Sequence, residues 1–566
     1  MNGSSHPQNG SPAWVERQET DYTALNNSDE PRTFDGQAKV YQWDGDFGEV
    51  GPRVVEIELE LFGDPKSRHD RAGLDFSSID RIKVEQEGPV RIQPISSFKD
   101  AGLHPIMLEN VKLMGYDCPT PIQRYTIPSM LQNHDVIGIA QTGSGKTGAY
   151  LVPILSKLMG KTKKLAAARP DPSLAALGEF NAVVAEPLVL VVAPTRELAV
   201  QIFNETRKFC YRSMLRPCVV YGGVSIKEQI SLLNRGCDIL VGTPGRLGDF
   251  VAKSHVLNFR RLQYVVIDEA DEMLDADWED EIRAILSGGR ILKFGLFSAT
   301  FPKEARELAK EYISAAHVRF RVGRAGSTTA NIKQTIIQTE PEDKREVLLR
   351  VLNDVTGVRT IIFANSRREV DNLDDFLFNV KLPVTSMHSD RTQMEREAAL
   401  RSFRHGQAPI LIATGVTARG IDVRNVMHVI NYDLPSMDHG GIEEYTHRIG
   451  RTGRIGHRGL ATSFFVPGQD DGIADVLTRT LLETQQEVPD FLGMYVPEGE
   501  AALHPRFETE SDYDPDEAAT QDSEPSAPAW GQAENGAAGT TGWGSEAPAA
   551  TQSNGLENGA EDTLDW

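Results

Sequence analysis

The chain has 566 residues, a formal net charge of −22, four cysteines and hydrophobic residues at 40% of its positions. No apolar run approaches the ~18 residues that a membrane span needs, and Met1–Thr20 lacks the hydrophobic centre of a signal peptide, so neither a membrane protein nor a secreted one is expected. None of the cysteines forms a C-x-x-C pair, which argues against zinc sites and disulfides.

The negative charge is concentrated at the two ends of the chain. Residues 1–97 hold 18 acidic and 10 basic side chains, whereas residues 501–566 hold 14 acidic side chains and Arg506 as the one basic residue. Residues 98–500 are therefore close to neutral. Because phosphate binding depends on where Lys and Arg cluster, the acidic net charge does not exclude a nucleic-acid partner.

Between the two ends, short apolar runs alternate with stretches of helical periodicity. The first set of predicted strands comprises Val136–Ile139, Leu188–Val192, Asp238–Val241, Tyr264–Ile267 and Phe294–Phe297. The second set comprises Thr360–Phe363, Val384–Met387, Ile410–Ala413, His428–Ile430 and Ala461–Phe465. Apolar strands separated by helices are typical of parallel sheets that are covered on both faces. The predicted fold class is α/β, with two tandem parallel-sheet domains.

A Gly-, Ser- and Thr-rich stretch, Gly323–Thr329, separates the two sets and predicts a short flexible linker. Both ends of the chain lack the apolar residues that would offset the entropy of ordering, so disordered tails are expected. The expected organisation is an N-terminal tail (1–57), an N-terminal flank (58–97), a first domain (98–321), a linker (322–333), a second domain (334–485), a C-terminal flank (486–507) and an acidic tail (508–566).

A glycine-rich loop follows the first predicted strand. It reads Ala140-Gln141-Thr142-Gly143-Ser144-Gly145-Lys146-Thr147, and a helix is predicted from Gly148. Small residues let backbone N–H groups surround phosphate oxygens, and the helix N-terminus adds positive potential. In such a loop Lys146 reaches the β- and γ-phosphates and Thr147 offers its hydroxyl to Mg²⁺. The pattern predicts a site for ATP and Mg²⁺.

The predicted strand Tyr264–Ile267 ends in Asp268-Glu269-Ala270-Asp271. The end of a buried parallel strand lies at the carboxyl edge of its sheet, where ligands bind in open α/β folds. One acid would then hold the metal and another would activate water. The alternative is an acidic helix N-terminus, because Glu272 and Asp275 follow. The phosphate loop earlier in the chain favours the catalytic interpretation.

Further blocks along residues 58–495 resemble, in order, the signature motifs of the DEAD-box RNA helicases. In the first domain they are Phe98, Gly115, Tyr116, Pro119, Thr120 and Gln123, the phosphate loop, Pro194–Ala199, Gly222-Gly223, Thr243–Arg246, Asp268–Asp271 and Ser298–Thr300. In the second they are Ile362-Phe363, Asn365-Ser366, Gln393 with Arg396, Ala418–Asp422 and His447–Arg454. The resemblance implies two RecA-like domains and an RNA-dependent ATPase that separates short duplexes locally.

The resemblance also implies roles on the ATP side. Phe98 would stack on adenine and Gln123 would read its edge, since an amide donates and accepts at once. Asp268 would orient the metal through water, and Glu269 would be the general base. A polar network that couples the ATP state to domain closure is implied for Asp271, Ser298, Thr300 and His447. Contacts from the second domain are implied for the finger residues Arg451 and Arg454 and for the ribose-side residues Gly420 and Asp422.

RNA would lie across both domains. The positions that resemble the RNA-facing residues of the family are Thr195, Arg196, Gly222, Gly223, Thr243, Gly245, Arg246, Gln393, Arg396 and Thr414. Hydroxyls, guanidinium groups and close-approach glycines suit phosphate and 2′-hydroxyl contacts and include no stacking aromatic residue. We therefore expect RNA binding without sequence preference.

Several blocks resemble more narrowly the Vasa-like group and its relatives in translation initiation, including Lys208–Ser213, Arg216–Gly223 and Phe297–Pro302. This resemblance implies messenger RNA as the substrate and the cytoplasm, RNA granules or the nucleus as the location of a monomeric enzyme. The chain departs from that group at Ser389, at Gly415 and in a short insertion, Asp438–Gly441.

Five tryptophans lie outside the predicted core: Trp14, Trp43, Trp530, Trp543 and Trp566. Tryptophans in an acidic tail are candidate anchors for protein partners, although low-complexity drift is the simpler explanation.

Two alternative functions remain open. They are an RNA clamp with little hydrolysis and a DNA-directed translocase built on the same two domains.

Overall fold

The structure is a computed structural model. It describes residues 14–15, 34–42, 50–63, 83–141, 143–170, 182–274, 283, 285, 293–301, 303–314, 316–323, 332–415, 425–437, 440–453 and 458–497. The predicted acidic tail, residues 508–566, lies outside these ranges.

Within the described residues, eight strands form the sheet of the first domain, in the order β1-β8-β2-β7-β6-β3-β5-β4. Their bounds are β1 (Val84–Glu87), β2 (Val136–Ile139), β3 (Val189–Val192), β4 (Pro217–Val220), β5 (Ile239–Gly242), β6 (Tyr264–Asp268), β7 (Lys293–Ser298) and β8 (Val318–Val322). All neighbouring pairs are parallel except β1 with β8. The parallel sheet predicted from the apolar runs is thereby confirmed.

Helices cover both faces of this sheet. They are α1 (Val55–Phe62), α2 (Pro105–Leu113), α3 (Pro121–Leu131), α4 (Lys146–Met159), α5 (Thr162–Leu165), α6 (Arg196–Phe209), α7 (Ile226–Leu233), α8 (Pro244–Val251), α9 (Ala270–Leu274) and α10 (Lys303–Tyr312). Alternate residues of one strand enter different cores: Val189 and Val191 join one cluster, whereas Leu190 and Val192 join the other. Burial on both faces is why these strands read as continuous apolar runs.

The second domain repeats the plan with six parallel strands among the described residues, in the order β11-β12-β10-β13-β14-β9. Its strands are β9 (Ile332–Gln338), β10 (Arg359–Ala364), β11 (Val384–Met387), β12 (Ile410–Thr414), β13 (Val426–Asn431) and β14 (Gly459–Phe465). Its helices are α11 (Lys344–Asp354), α12 (Arg367–Asn379), α13 (Gln393–His405), α14 (Gly441–Ile449) and α15 (Asp471–Glu483).

Among the strands that the structure describes, four were not predicted from the sequence, and three of these lie at sheet edges. β1 and β9 alternate buried or half-buried residues with exposed ones, so neither reads as an apolar run. β4 begins at Pro217, and β8 carries Arg319 and Arg321 between its apolar residues. An edge strand has a neighbour on one side only, so composition alone identifies it poorly.

The predicted disorder of residues 1–57 is wrong where the structure describes them. Phe34 packs 5.1 Å from the ring of Tyr221, and Tyr41 packs 5.4 Å from Tyr211. The guanidinium of Arg207 donates to the Lys39 carbonyl at 2.8 Å. These aromatic anchors bury apolar surface that the average composition of the tail conceals.

Other predicted boundaries also shift. β1 pairs with β8, so part of the predicted flank belongs to the first sheet. β8 extends to Val322 and β9 begins at Ile332, which leaves the predicted linker mostly outside the described residues. Leu492, in the 3₁₀ segment Asp490–Tyr495, is buried in a second-domain core cluster, so the C-terminal flank belongs to that domain. Trp14 packs against another core cluster of the second domain instead of lying free in a tail.

In the part of the chain that the structure describes, none of the helices has the length and apolar character required to cross a membrane.

A buried histidine makes the stability of the second domain sensitive to acid. Burial lowers the pKa of His428 to about 4, below its ordinary 6.5. Between these values the unfolded chain binds more protons than the folded chain, so stability is lost as pH falls through this window. The parent chain should lose unfolding free energy between pH 7 and pH 4. We expect this loss to be smaller in His428→Leu by on the order of 3 kcal/mol, measured by urea unfolding at both pH values.

The control variant is Thr462→Val, which removes the hydroxyl 2.9 Å from the imidazole and keeps the titrating group. It is expected to lower stability by a similar amount at both pH values. If the parent chain and His428→Leu lost the same stability in acid, the assignment to His428 would be wrong.

Candidate functional site

The phosphate loop lies at the carboxyl edge of the first sheet, between β2 and α4. Gly143 and Gly145 have φ angles of 76° and 89°, and Gly145 precedes the first residue of the helix. This left-handed backbone is strained for residues with a side chain, so glycine is needed at both positions. Lys146 Nζ donates to the Ala140 carbonyl at 2.9 Å, and the Ser144 N–H donates to the Gln141 carbonyl at 3.3 Å. The loop is therefore closed on itself, with Lys146 at its centre.

Gln123 links this loop to the start of α3. Its Oε1 accepts from the Thr120 backbone N–H at 3.0 Å, and its Nε2 donates to the Gly145 carbonyl at 3.0 Å. Both ends of the amide are thus engaged by backbone groups, and the contact with adenine implied by the resemblance would use the same atoms. Phe98 is buried in the first-domain core, with its ring 6.3 Å from Tyr116.

Asp268 is the last residue of β6 and is buried beside the phosphate loop. Its Oδ2 accepts from the Tyr150 hydroxyl at 2.8 Å, and its Oδ1 accepts from the Glu269 N–H at 3.1 Å. Burial raises the pKa of Asp268 to about 6, although Lys146 acts against this shift. Burial therefore outweighs the nearby positive charge of Lys146.

Glu269 has a φ of 54°, in the left-handed region, although it carries a side chain. Such a conformation costs on the order of 1–3 kcal/mol and persists at functional sites where the surroundings enforce it. Glu269 is buried, and its Oε2 lacks a hydrogen-bond partner among the described residues. A buried carboxylate oxygen without a donor is suited to accept a proton from a bound molecule.

Asp271 joins the first domain to the second. Its Oδ2 accepts from both the N–H and the hydroxyl of Thr300 at 2.9 Å, and its own N–H donates to the Ser298 hydroxyl at 3.1 Å. His447 of α14 places Nε2 at 3.8 Å from Asp271 Oδ2 and Nδ1 at 3.8 Å from Glu272 Oε1. Burial alone would raise the pKa of Asp271, but His447, Lys146 and these hydrogen bonds hold it below its ordinary value.

The predicted RNA-side residues of the first domain cluster around Arg196, the first residue of α6. Thr195 caps this helix, with its hydroxyl accepting from the Leu198 N–H at 3.3 Å. Gly223 has a φ of 83°, a left-handed conformation that favours glycine, and an added Cβ would lie 2.3 Å from the end of the Arg196 side chain. Thr243, Gly245 and Arg246 lie at the start of α8, and Arg246 is buried and donates to the Val224 carbonyl at 3.4 Å.

Arg196 and two neighbouring residues, Glu197 and Tyr221, contact the second domain directly. Arg196 donates to Gln393 Oε1 at 3.0 Å, and Arg396 forms an ion pair with Glu197 at 2.7 Å. Tyr221 donates to Glu397 at 3.4 Å. Thr414, at the end of β12, is half-buried at the carboxyl edge of the second sheet. Among the predicted RNA-side positions, Arg196 of the first domain therefore contacts Gln393 of the second, and Arg396 contacts Glu197, the neighbour of Arg196.

Arg448 organises the second-domain side of the site. It donates to Glu444 Oε1 at 2.9 Å, to the Asp433 carbonyl at 2.9 Å and to Asn365 Oδ1 at 3.0 Å, and it lies over the Phe363 ring. Gly415 faces this cluster, since a Cβ added there would lie 1.9 Å from Glu444 Oε1. The departure at Gly415 is thus explained: a larger residue would occupy the space that Glu444 fills.

Arg451 follows α14 and is buried, with its Nε donating to the His447 carbonyl at 3.0 Å. Predicted site residues that lie outside the described ranges are Thr142, Gly420, Asp422 and Arg454. Part of the Asp438–Gly441 insertion also lies outside them. The roles assigned to the described site residues stay predictions, since their positions do not test them.

Several residues of the site were not predicted from the sequence. Glu197 lies inside the Pro194–Ala199 motif and directly follows Arg196. That position could have indicated that its side chain lies at the interface between the domains. Tyr221, Glu397 and Tyr150 carried no signal, because their partners lie 118 to 176 residues away in the chain.

Comparison with known proteins identifies both halves of the chain. Residues 120–308 match the model described as DEAD/DEAH box helicase, and residues 343–456 match the helicase conserved C-terminal domain. Together the two matches cover more than half of the chain. The structure resembles S. cerevisiae Dbp5 bound to RNA and ADP BeF3, with a TM-score of 0.58, 28% sequence identity, and coverage of 68% of this chain and 93% of that chain. The RNA helicase Prp28 from Chaetomium thermophilum bound to ADP is 34% identical, with a TM-score of 0.37 and coverage of 72% of this chain and 94% of that chain.

Substituting Gly415 tests the tight packing around Arg448. We expect Gly415→Ala to cost about 1–3 kcal/mol of unfolding free energy, because the new methyl group displaces Glu444 from a buried ion pair. The matched control is Gly248→Ala in α8, where nothing lies within 4 Å of the added Cβ and helix propensity should increase stability slightly. Thermal unfolding of the two variants checks this, and equal melting temperatures would contradict it.

The ion pair between Glu197 and Arg396 is expected to hold α13 against the first domain. Both side chains are mostly buried, so Glu197→Gln leaves the Arg396 charge poorly compensated. We expect faster amide hydrogen exchange in residues 393–397 of this variant, with exchange in β3 unchanged.

Glu346→Gln is the control, because it removes an exposed pair with Arg350. Exposed pairs contribute about 0–1 kcal/mol, so exchange at residues 393–397 should stay as in the parent chain. An identical effect of the two substitutions would show that the buried pair does not hold α13.

Proposed function

Since the chain belongs to the DEAD/DEAH box helicase family, we propose that it binds single-stranded RNA without sequence preference. The domains of this family imply ATP-dependent RNA helicase activity. The proposed activity is to open short duplexes locally or to remodel ribonucleoprotein. Messenger RNA is the proposed substrate, on the Vasa-like resemblance of residues 208–223 and 297–302. The observation that carries the proposal is the double contact between domains: His447 beside Asp271 on the ATP side, and Arg396 with Glu197 on the RNA side.

ATP fits the residues that surround the phosphate loop. The Ser144 hydroxyl and Glu269 Oε2 are buried and lack hydrogen-bond partners among the described residues. A bound triphosphate would accept a hydrogen bond from the Ser144 hydroxyl, and the attacking water would donate one to Glu269 Oε2. Gly143 and Gly145 expose the backbone of the loop, and Lys146 can exchange the Ala140 carbonyl for phosphate oxygens.

Mg²⁺ fits the same edge, with Thr147 and Asp268 as the residues that would hold it. The ion, when bound, neutralises charge on the β- and γ-phosphates. Asp268 is buried at this edge, and its two carboxylate oxygens accept from the Tyr150 hydroxyl and the Glu269 N–H. Asp268 fixes its neighbour by accepting the Glu269 N–H, so the two carboxylates keep separate tasks.

Hydrolysis depends on both domains in this proposal. Glu269 accepts the proton of the attacking water, and Arg451 and Arg454 stabilise negative charge that develops on the transferred phosphoryl group. Arginine fingers contribute about 10³–10⁵ to the rate of related phosphoryl-transfer enzymes. The contact between Asp271 and His447 links the ATP side of the first domain to α14. In this proposal, binding or loss of the γ-phosphate therefore changes the position of α14, which carries Arg448 and precedes Arg451.

RNA binding uses contacts that do not read bases. Thr195 and Thr243 lie at helix N-termini, and Gly222 and Gly223 allow the RNA backbone to approach closely. Arg196 and Gln393 lie in contact between the two domains, so RNA would exchange this contact for its own phosphates. Such contacts favour RNA over DNA where the 2′-hydroxyl is bound.

The wider setting follows from the resemblance to the Vasa-like group. We place the enzyme in the cytoplasm or RNA granules, with the nucleus as a further location, and we expect it to act as a monomer. Protein partners would bind the tryptophans of the acidic C-terminal tail, Trp530, Trp543 and Trp566.

Steady-state ATPase activity tests the proposal. We expect hydrolysis to be slow without nucleic acid, strongly stimulated by single-stranded RNA, and weakly stimulated by DNA of the same sequence. Glu269→Gln should reduce the stimulated rate by at least about 10²-fold, because it removes the proton acceptor, while ATP still binds.

Each other outcome points to a different function. Equal stimulation by RNA and DNA would indicate a DNA-directed translocase. RNA binding without stimulated hydrolysis would indicate a clamp, and a Glu269→Gln variant as active as the parent chain would remove Glu269 from the role of base.

A further inference from the structure

Tyr150 is a buried polar residue that the proposed mechanism leaves without a role. It lies in α4 one turn after Thr147, and its side chain is fully buried with its ring 5.0 Å from Phe297. Its hydroxyl donates to Asp268 Oδ2 at 2.8 Å. A phenylalanine would fill the same apolar space, so the hydroxyl is the part of the side chain that core packing does not require.

The Tyr150 hydroxyl lies behind a residue assigned to the metal. Its hydrogen bond to Asp268 joins α4, which begins at the phosphate loop, to the carboxyl end of β6. Thr147, the other residue assigned to the metal, lies three positions before Tyr150 on the same helix. The phenol thus ties the Asp268 carboxylate to the helix that carries Thr147.

The direction of this hydrogen bond follows from its chemistry. An ionised carboxylate only accepts, so Tyr150 must donate its single proton to Asp268 Oδ2. Asp268 Oδ1 accepts from the Glu269 N–H, so both carboxylate oxygens are held in one orientation. A carboxylate has about four lone-pair sites, so lone pairs remain for a cation.

We propose that Tyr150 is a positioning residue that orients the Asp268 carboxylate towards the divalent cation of the bound nucleotide. The proposal rests on the proposed function, since it concerns the same ATP site. Partners behind a metal site commonly change metal affinity by about 10- to 100-fold when they are removed.

Tyr150→Phe tests the proposal in the full chain, with a fluorescent ADP analogue as the probe and Mg²⁺ titrated from an EDTA-containing buffer. We expect the Mg²⁺ concentration that gives half of the metal-dependent binding to rise about 10-fold. Binding of the nucleotide in EDTA should match the parent chain. Because the variant keeps the ring and its contact with Phe297, its melting temperature should stay close to that of the parent.

The matched control is Tyr445→Phe in the second domain. Tyr445 is also fully buried, and its hydroxyl donates to the Gln334 side chain at 2.9 Å. This variant should leave the Mg²⁺ titration as in the parent chain. A purely structural role of Tyr150 would instead weaken nucleotide binding in EDTA and in Mg²⁺ by the same factor, and that result would overturn the proposal.

The remaining outcomes separate this proposal from the proposed function. If the parent chain shows Mg²⁺-dependent nucleotide binding and Tyr150→Phe gives the same titration, the positioning role is overturned and the proposed function stands. If the parent chain binds no nucleotide, both are overturned.

Discussion

The acidic residues after β6 are buried at the edge of the first sheet, and the site is arranged around the need to satisfy them. A carboxylate inside a protein loses its hydration and must find donors or cations nearby. Asp271 obtains hydrogen bonds from Thr300 and faces His447 of the other domain. Asp268 obtains hydrogen bonds from Tyr150 and the Glu269 N–H, yet its pKa stays raised because burial outweighs the nearby positive charge.

This requirement couples distant parts of the chain. The partners of the two aspartates come from α4, from β7 and the residues that follow it, and from α14 of the second domain. On the RNA side, the buried carboxylate of Glu197 likewise forms an ion pair with Arg396 of the second domain. Each interdomain contact therefore places a carboxylate of the first domain beside a basic side chain of the second. In the proposed function, a nucleotide or an RNA strand that changes these charges acts on the contact between the domains.

The architecture was largely predictable, and the physical reason is the parallel sheet. β2, β3, β5 and β6 are buried on both faces, so each reads as an apolar run and was located to within about two residues. The phosphate loop was recognisable because glycine and lysine are required at fixed spacing. Strands such as β1 and β9 were missed, since one face of each is exposed. The ordered segment around Phe34 and Tyr41 was missed because two aromatic anchors scarcely alter the average polarity of a tail.

The sequence by itself determined the two α/β domains, the order of their motifs and the identity of the charged groups at the site, because local spacing and apolar periodicity encode these features. Only the tertiary structure decided which of those groups meet. Gln123 bonds to the phosphate loop, Glu444 occupies the space beside Gly415, and Tyr150 joins α4 to Asp268 through its hydroxyl. Contacts between residues far apart in the chain depend on how helices pack on a sheet, and spacing along the chain does not record that packing.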